Sequence, residues 1–401
     1  MQSSLFLISS RRRAVLSVLC LGLLGTSVFA QEEPALINVA TRGAVGTGEN
    51  VLIAGFIIQG TTPRRVAVRV LGPSLTQFGV NGVLANPTLE LNSGNTVIGQ
   101  NDDWQSDAAT AQTLRNINLA PGAAAESAVL MTLNPGPYTA VVRGKNDTTG
   151  VVLLTVDDLD ARDNNGLNSS RTINLSTRGR VGTGDSVMIM GFIIGGSAPR
   201  DILVTAIAGS LAEYGLNDVL TDSKIEIFSG NTKIAESDDW IDSPDFETIA
   251  KTGASPRDPL EAAVWLHLAP GNYTAVVTGA NGEQGIALPE VDDVRQLKDI
   301  TFAPANLIDR TGTLAISTGS TPDSLNLAFI GSGSATVNTG TAGTYTYTPT
   351  SGFLSNVSVT ASGYTVTGTL QFYRDKVAVF SGSLTKPGAT KQDAGGVLVL
   401  K

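Results

Sequence analysis

Two short acidic turns carry the residues of this sequence best suited to chemistry: Asn101-Asp102-Asp103-Trp104 and Ser237-Asp238-Asp239-Trp240. Adjacent carboxylates on a turn, with an amide oxygen or backbone carbonyls beside them, are the hard oxygen ligands that Ca²⁺ takes at about 2.4 Å. Asn101, Asp102, Asp103, Asp238 and Asp239 are therefore the candidate metal ligands, and calcium the candidate cofactor. The same residue types also cap the N–H groups of their own turn while the tryptophan plugs one end of the fold, and the spacing admits both readings. A second acidic pair, Asp157-Asp158 and Asp292-Asp293, ends the last apolar run of each half of the chain, beside the first pair or at the opposite end. Asp158-x-Asp160 with Asn164 and Gly166 is not an EF-hand loop, because the glycine is misplaced and the glutamate at position twelve is missing.

Other chemistries fare worse. Gly43-x-x-Gly46-x-Gly48 is followed by the strand-like run Val51 to Ile58, whereas a phosphate loop opens a helix, so it reads as a glycine turn with positive φ. One His and one Cys exclude multi-histidine and multi-thiolate metal sites and any intrachain disulfide. His267 lies in Val264-Trp265-Leu266-His267-Leu268 on the solvent face of an expected strand, and no Gly-x-Ser-x-Gly elbow accompanies it. The paired carboxylates are adjacent in sequence, while the two carboxyl groups of a glycosidase stand about 5 to 10 Å apart on separate elements. Trp104, Trp240 and Trp265 read as core residues rather than a sugar-stacking platform. These points predict no catalytic residues and no enzyme.

The elements that position the turns are read from a duplication. Thr41-Arg42-Gly43-Ala44-Val45-Gly46-Thr47-Gly48 recurs as Thr177-Arg178-Gly179-Arg180-Val181-Gly182-Thr183-Gly184, and Asp102-Asp103-Trp104 as Asp238-Asp239-Trp240, both at an offset of 136 residues. Pro135-Gly136-x-Tyr138-Thr139 recurs as Pro270-Gly271-x-Tyr273-Thr274 at an offset of 135. A constant register with one slip is tandem duplication of a domain-sized unit, expected to give two beads with separate cores. Val66, Val68 and Val70 alternate with Arg65, Ala67 and Arg69, and the runs Val51 to Ile58, Ala128 to Leu133, Tyr138 to Val142 and Val151 to Val156 are short and β-rich. Such runs predict two packed antiparallel sheets per unit, a sandwich of immunoglobulin or jelly-roll type, with Asp107 to Asn116 a short helix or loop over one end. From about Leu307 the repeat is lost, and Thr344 to Thr348, Val357 to Val359, Tyr364 to Leu370, Val377 to Phe380 and Val397 to Leu400 predict a β-meander or open barrel.

The domain plan is thus 1–30 signal peptide, 31–160 first sandwich, 161–171 polar linker, 172–298 second sandwich and 299–401 C-terminal meander, in an all-β chain. Arg11-Arg12-Arg13, the apolar run Ala14 to Leu24 and Val28-Phe29-Ala30 form the three parts of a cleaved secretory signal. The apolar run reaches only about 16 Å as a helix, too short to span a bilayer. Removing it takes away Cys20 and three arginines and moves the formal net charge from −9 to −12. An acidic, thiol-free exported chain repels nucleic acid and anionic lipid, carries no membrane span, and depends on burial for stability.

The segment from Leu89 to Val156, with the Asn-Asp-Asp turn, Glu126 and Leu133-x-Pro135-Gly136-x-Tyr138-Thr139, resembles the bacterial pre-peptidase C-terminal (PPC) domain. Ile225 to Val291, with Asp238, Asp239, Glu261 and Leu268-x-Pro270-Gly271-x-Tyr273-Thr274, resembles it equally. The likeness covers a little over half of each unit, and no peptidase accompanies it. It implies a secreted β-sandwich of a kind appended to extracellular hydrolases, some relatives binding calcium and collagen or polysaccharide. The expectation is a secreted, non-enzymatic binding or structural protein of the extracellular space, cell surface or periplasm, serving adhesion to a polysaccharide or protein, with calcium fixing the acidic turns. The alternative is a secreted carbohydrate-active hydrolase or its carbohydrate-binding module.

Overall fold

A computed structural model describes residues 35–162, 170–294, 297–318, 321–338 and 340–401. The expected signal peptide and most of the expected linker lie outside the described residues. The fold is all-β with antiparallel sheets, and among the described residues no helix is long and apolar enough to cross a membrane.

The first repeat supplies β1 (Ala35–Val45), β2 (Leu52–Gln59), β3 (Arg64–Leu71), β4 (Pro87–Ser93), β5 (Thr96–Asn101), α1 (Ala108–Asn116), β6 (Ser127–Leu133), β7 (Gly136–Gly144), β8 (Gly150–Asp158) and the single turn α2 (Leu159–Arg162). The second repeats the order as β9 (Arg171–Val181), β10 (Met188–Gly195), β11 (Arg200–Ile207), β12 (Ser223–Ser229), β13 (Thr232–Ser237), α3 (Phe246–Thr252), β14 (Ala262–Leu268), β15 (Gly271–Gly279) and β16 (Gly285–Asp293). Val66, Val68 and Val70 all face the core, as their alternation requires, and α1 opens with Asp107 accepting from the Thr110 N–H at 2.7 Å.

The repeats are not independent beads. Strand β1 pairs with β8 of its own repeat on one side and with β10 of the other repeat on its second side. Strand β9 does the reciprocal, pairing with β16 and with β2. Two layers result, β6-β3-β8-β1-β10-β15-β12-β13 and β14-β11-β16-β9-β2-β7-β4-β5, each running through both repeats. One apolar core joins them, with Val39, Leu52, Phe56 and Val68 in the same cluster as Leu175, Met188, Phe192 and Val204. The length of the duplicated unit predicts separate cores; sharing the first strand instead gives both edges of that strand a partner.

The same crossing corrects the reading of the glycine motif. Thr41 to Val45 is strand, not turn, and only Gly48, at φ +60°, takes the left-handed turn leading to β2. Thr41 and Thr177 meet where β1 and β9 cross, hydroxyl to hydroxyl at 2.8 Å, both fully buried. A side chain on Gly179 would place a Cβ 2.7 Å from Leu52 Cδ1 and 2.8 Å from Met188 Cε. The repeated Thr-Arg-Gly is therefore the contact between equivalent strands along a pseudo-two-fold axis.

The C-terminal meander is β17 (Thr311–Thr318), β18 (Thr321–Ile330), β19 (Ser334–Val337), β20 (Gly343–Pro349), β21 (Leu354–Ala361), β22 (Tyr364–Arg374), β23 (Val377–Thr385) and β24 (Gln392–Leu400). It is closed rather than open, because β24 pairs back onto β17 from Gly312↔Leu400 to Ser317↔Gly395. Leu327, Phe329, Val359, Leu370 and Phe380 are in its core, and closure leaves no free edge. Phe353 joins the barrel to the second repeat, edge-on to Phe246 of α3 at 5.9 Å in a cluster with Trp240, Ile249 and Leu203. In the first repeat the matching helix α1 buries Ala111 and Leu114 where α3 buries Phe246 and Ile249, and its smaller cluster closes on Trp104, Leu114 and Ala67.

Candidate functional site

Each acidic turn leaves the fifth strand of its repeat, β5 or β13, and is pinned by a buried glutamate. Trp104 N donates to Glu126 O at 2.8 Å and Trp240 N to Glu261 O at 2.9 Å. The fully buried Glu126 carboxylate accepts from Gly72 N, Ser74 N, Ser74 Oγ and Ala123 N at 2.6–3.0 Å. Glu261 accepts from Ala208 N, Ser210 N, Ser210 Oγ and Asp258 N at 2.7–3.1 Å. Four donors satisfy a buried carboxylate and tie the turn to the loop after β3 or β11. Trp104 and Trp240 are both core residues, their indole N–H groups donating to Ala123 O and Asp258 O.

The candidate metal ligands differ between the turns. In the first, Asn101 Oδ1 accepts from Ala128 N at 2.9 Å, and its amide donates to Asp103 O and Ser106 Oγ at 3.2 Å each. Asp102 Oδ2 pairs with Lys145 Nζ, and that hydrogen bond holds the lysine above its ordinary pKa. In the second, Ala280 stands where Lys145 does, and no ammonium is paired to Asp238 or Asp239 among the described residues. Burial first, then the carboxylates of Asp222, Asp238, Asp242 and Asp258, push the Asp239 carboxyl up to about 6. Burial and Asp238 likewise raise Asp222. Asn86 Oδ1, Asp102 Oδ1 and Asp222 Oδ1 are buried and accept no hydrogen bond among the described residues. Among the described residues no three Asp, Glu, His or Cys side chains group closely enough to hold a metal ion on their own.

The second acidic pairs do not join the first. Asp102 O accepts from Ser127, opposite Val70, whereas Asp158 sits opposite Val66, about 13 Å further along β3 at about 3.3 Å per residue. Asp158 is buried and held by Arg64 through Nε and Nη2 at 3.0–3.2 Å, with Thr172 N, Thr172 Oγ1 and Ala161 N also donating to it. Thr172 belongs to β9, so this ion pair also fastens the second repeat's first strand to the first repeat. Asp293 faces Arg200 and Arg171 in the equivalent place, each at 3.4 Å. His267 is exposed on β14, with Nδ1 2.6 Å from Asp201 Oδ1 across the ladder to β11, and among the described residues no nucleophile is paired with it.

Sequence reasoning missed a pair of exposed aromatics. Phe78 and Tyr214 end matching 3-10 turns, Pro73–Phe78 and Gly209–Tyr214, and are 75% and 65% exposed. Their loops are those fastened by Glu126 and Glu261. Beside Tyr214 a cleft of about 350 Å³ is lined by Ile207, Ser210, Leu211, Arg257 and Leu288, with the Arg257 guanidinium 5.8 Å from the Tyr214 ring. The offset of 136 could have found them, since it aligns Phe78 with Tyr214 inside Ser-Leu-x-x-aromatic-Gly.

No family model matches this chain, and no curated protein matches it. Among solved structures, that described as "Crystal Structure of the STIV MCP" aligns at 10% identity and a TM-score of 0.16, covering 65% of this chain and 96% of that one. At that TM-score the likeness carries no functional argument.

Proposed function

We propose that this chain is a secreted, non-enzymatic binding protein that presents matched aromatic loops of a rigid double sandwich to an extracellular polysaccharide or protein. The observation that carries this reading is the pair Phe78 and Tyr214: large, exposed side chains at equivalent positions, on loops tied down by buried four-donor carboxylates. Rigid loops lose little entropy on binding, and an aromatic face beside a guanidinium stacks on sugar rings or on the side chains of an extended polypeptide. Two such loops on one continuous body bind a repeating polymer with an avidity that neither has alone. The signal-like first thirty residues and the PPC resemblance support export and a binding role. Calcium belongs to the proposal at the second turn, where Asp238 and Asp239 lack the lysine that balances the first and backbone carbonyls and water supply the remaining oxygens.

The test is retention of the wild-type chain and of Phe78→Ala/Tyr214→Ala on a panel of insoluble polysaccharides, collagen and a glycan array, with a hydrolase screen in parallel. The expected result is a ligand retained by the wild type and lost by the double variant at unchanged melting temperature. Equal retention of both, or turnover abolished by a carboxylate substitution, refutes the proposal, the latter in favour of the hydrolase.

A further inference from the structure

The repeats diverge in charge around one buried carboxylate of their matching sheets. In the first repeat Arg69 donates from Nε and Nη2 to Asp157 Oδ2 at 3.3 and 3.0 Å. Thr155 Oγ1 donates to the same oxygen at 3.2 Å, and Asn38 Nδ2 donates to Asp157 Oδ1 at 2.9 Å. One guanidinium thus balances one carboxylate. The equivalent residues of the second repeat are Thr205, Asp292, Glu290 and Asn174. Exchanging Arg69 for Thr205 removes a positive charge, and exchanging Thr155 for Glu290 adds a negative one.

The two carboxylates converge. The Asn174 amide donates to Glu290 Oε1 and also to Asp292 Oδ1, the latter at 2.7 Å. Glu290 and Asp292 are neighbours on one face of β16, and Thr205 stands directly across the β11 ladder from Glu290. That is the position from which Arg69 reaches Asp157. Thr205 is fully buried and, among the described residues, its hydroxyl has no hydrogen-bond partner; Asp292 Oδ2 is likewise buried and unpartnered among them. Buried polar atoms are normally satisfied, and two adjacent carboxylates without a cation are costly in a partly dry site.

We propose that Thr205, Glu290, Asp292 and Asn174 form a divalent-cation site, with Ca²⁺ taking the place that the Arg69 guanidinium holds in the first repeat. The donors are carboxylate, hydroxyl and amide oxygens, the hard set calcium prefers, and a charge of +2 matches the two carboxylates. Asn174 presents its oxygen by turning its amide over, which leaves the side chain's shape unchanged. Glu290 and Asp292 are half-buried, so water completes the shell. Their irregular arrangement on a strand suits Ca²⁺ rather than Mg²⁺, which demands a near-ideal octahedron.

Calorimetric titration of the EDTA-treated full chain with CaCl₂, and separately with MgCl₂, at pH 7.5 tests this. Three variants accompany it: Thr205→Arg/Glu290→Thr, which installs the first repeat's residues; Asp292→Asn; and Asp238→Asn/Asp239→Asn, which disables the acidic turn. Thr205→Arg/Glu290→Thr is expected to lose one equivalent of bound Ca²⁺ while melting in EDTA at or above the wild-type temperature. Asp292→Asn is expected to weaken that equivalent at least tenfold, and Asp238→Asn/Asp239→Asn to retain it. Calcium stoichiometry unchanged in Thr205→Arg/Glu290→Thr, calcium binding lost entirely in Asp238→Asn/Asp239→Asn, or a wild type that binds no Ca²⁺ would each overturn the site. The last result would mean that Glu290 and Asp292 share a proton instead.

Discussion

The hydroxyl pair at the crossing of β1 and β9 offers a direct measurement of whether the repeats interlock. Thr41 and Thr177 are 136 residues apart in sequence, fully buried, and bonded to each other at 2.8 Å. Replacing either by valine keeps the shape and removes one hydroxyl, so the remaining one is left unpartnered in the core. That costs about 1–3 kcal/mol, the desolvation of an unsatisfied buried group. Replacing both removes both hydroxyls and leaves two methyl groups in contact, which is about neutral. The cycle Thr41→Val, Thr177→Val and Thr41→Val/Thr177→Val, followed by urea unfolding, should therefore be strongly non-additive, with a coupling of about 2–6 kcal/mol favouring the double variant. Independent beads would hold the two threonines in separate cores, and distant substitutions add to within about 0.5 kcal/mol. A double variant destabilised by the sum of the singles would refute the strand exchange itself.

Further predictions concern charge. Arg64→Met should destabilise by about 3 kcal/mol, the lower end for breaking a buried pair, because Thr172 and Ala161 still donate to Asp158; a urea-unfolding loss below about 1 kcal/mol would show that these donors suffice alone. Burial and the neighbouring Glu290 push the Asp292 carboxyl up to about 8, from 3.8. Without calcium, the folded chain then holds a proton that the unfolded chain has released, so stability is greatest below about pH 4 as far as this group is concerned and falls as pH rises to about 8. Asp292→Asn should flatten that slope in EDTA-treated protein, and a melting-temperature profile indistinguishable from wild type across pH 5–8 would contradict it.

Much of the fold was legible in the chain. Val66, Val68 and Val70 announce a strand with one buried face, the stretch Asp107 to Asn116 reads as a short helix or loop and is the helix α1, and the 136-residue offset shows a duplicated unit. The acidic turns were visible too, but not that Lys145 balances one of them and Ala280 leaves the other unbalanced. That contrast lies in pairs such as Lys145 and Asp102, 43 residues apart, whose proximity no local pattern encodes. The aromatic loops escaped notice because a single exposed aromatic looks, in sequence, like any other residue at the end of a turn.

The sequence by itself determined strand content, the duplication and the distinct C-terminal module, since alternation, turn residues and repeat register are local properties of the chain. Only the tertiary structure decided which strands pair. Because β1 and β9 carry nearly the same residues, pairing within a repeat and pairing across repeats satisfy the same local pattern; the choice rests on long-range packing, where Gly43 and Gly179 allow the close approach and Thr41 meets Thr177. The same holds for the barrel, where closure of β24 onto β17 pairs Gly312 with Leu400 at opposite ends of the module, and for the carboxylates of Glu290 and Asp292, whose missing counter-charge shows only when Thr205 is seen standing in the place of Arg69.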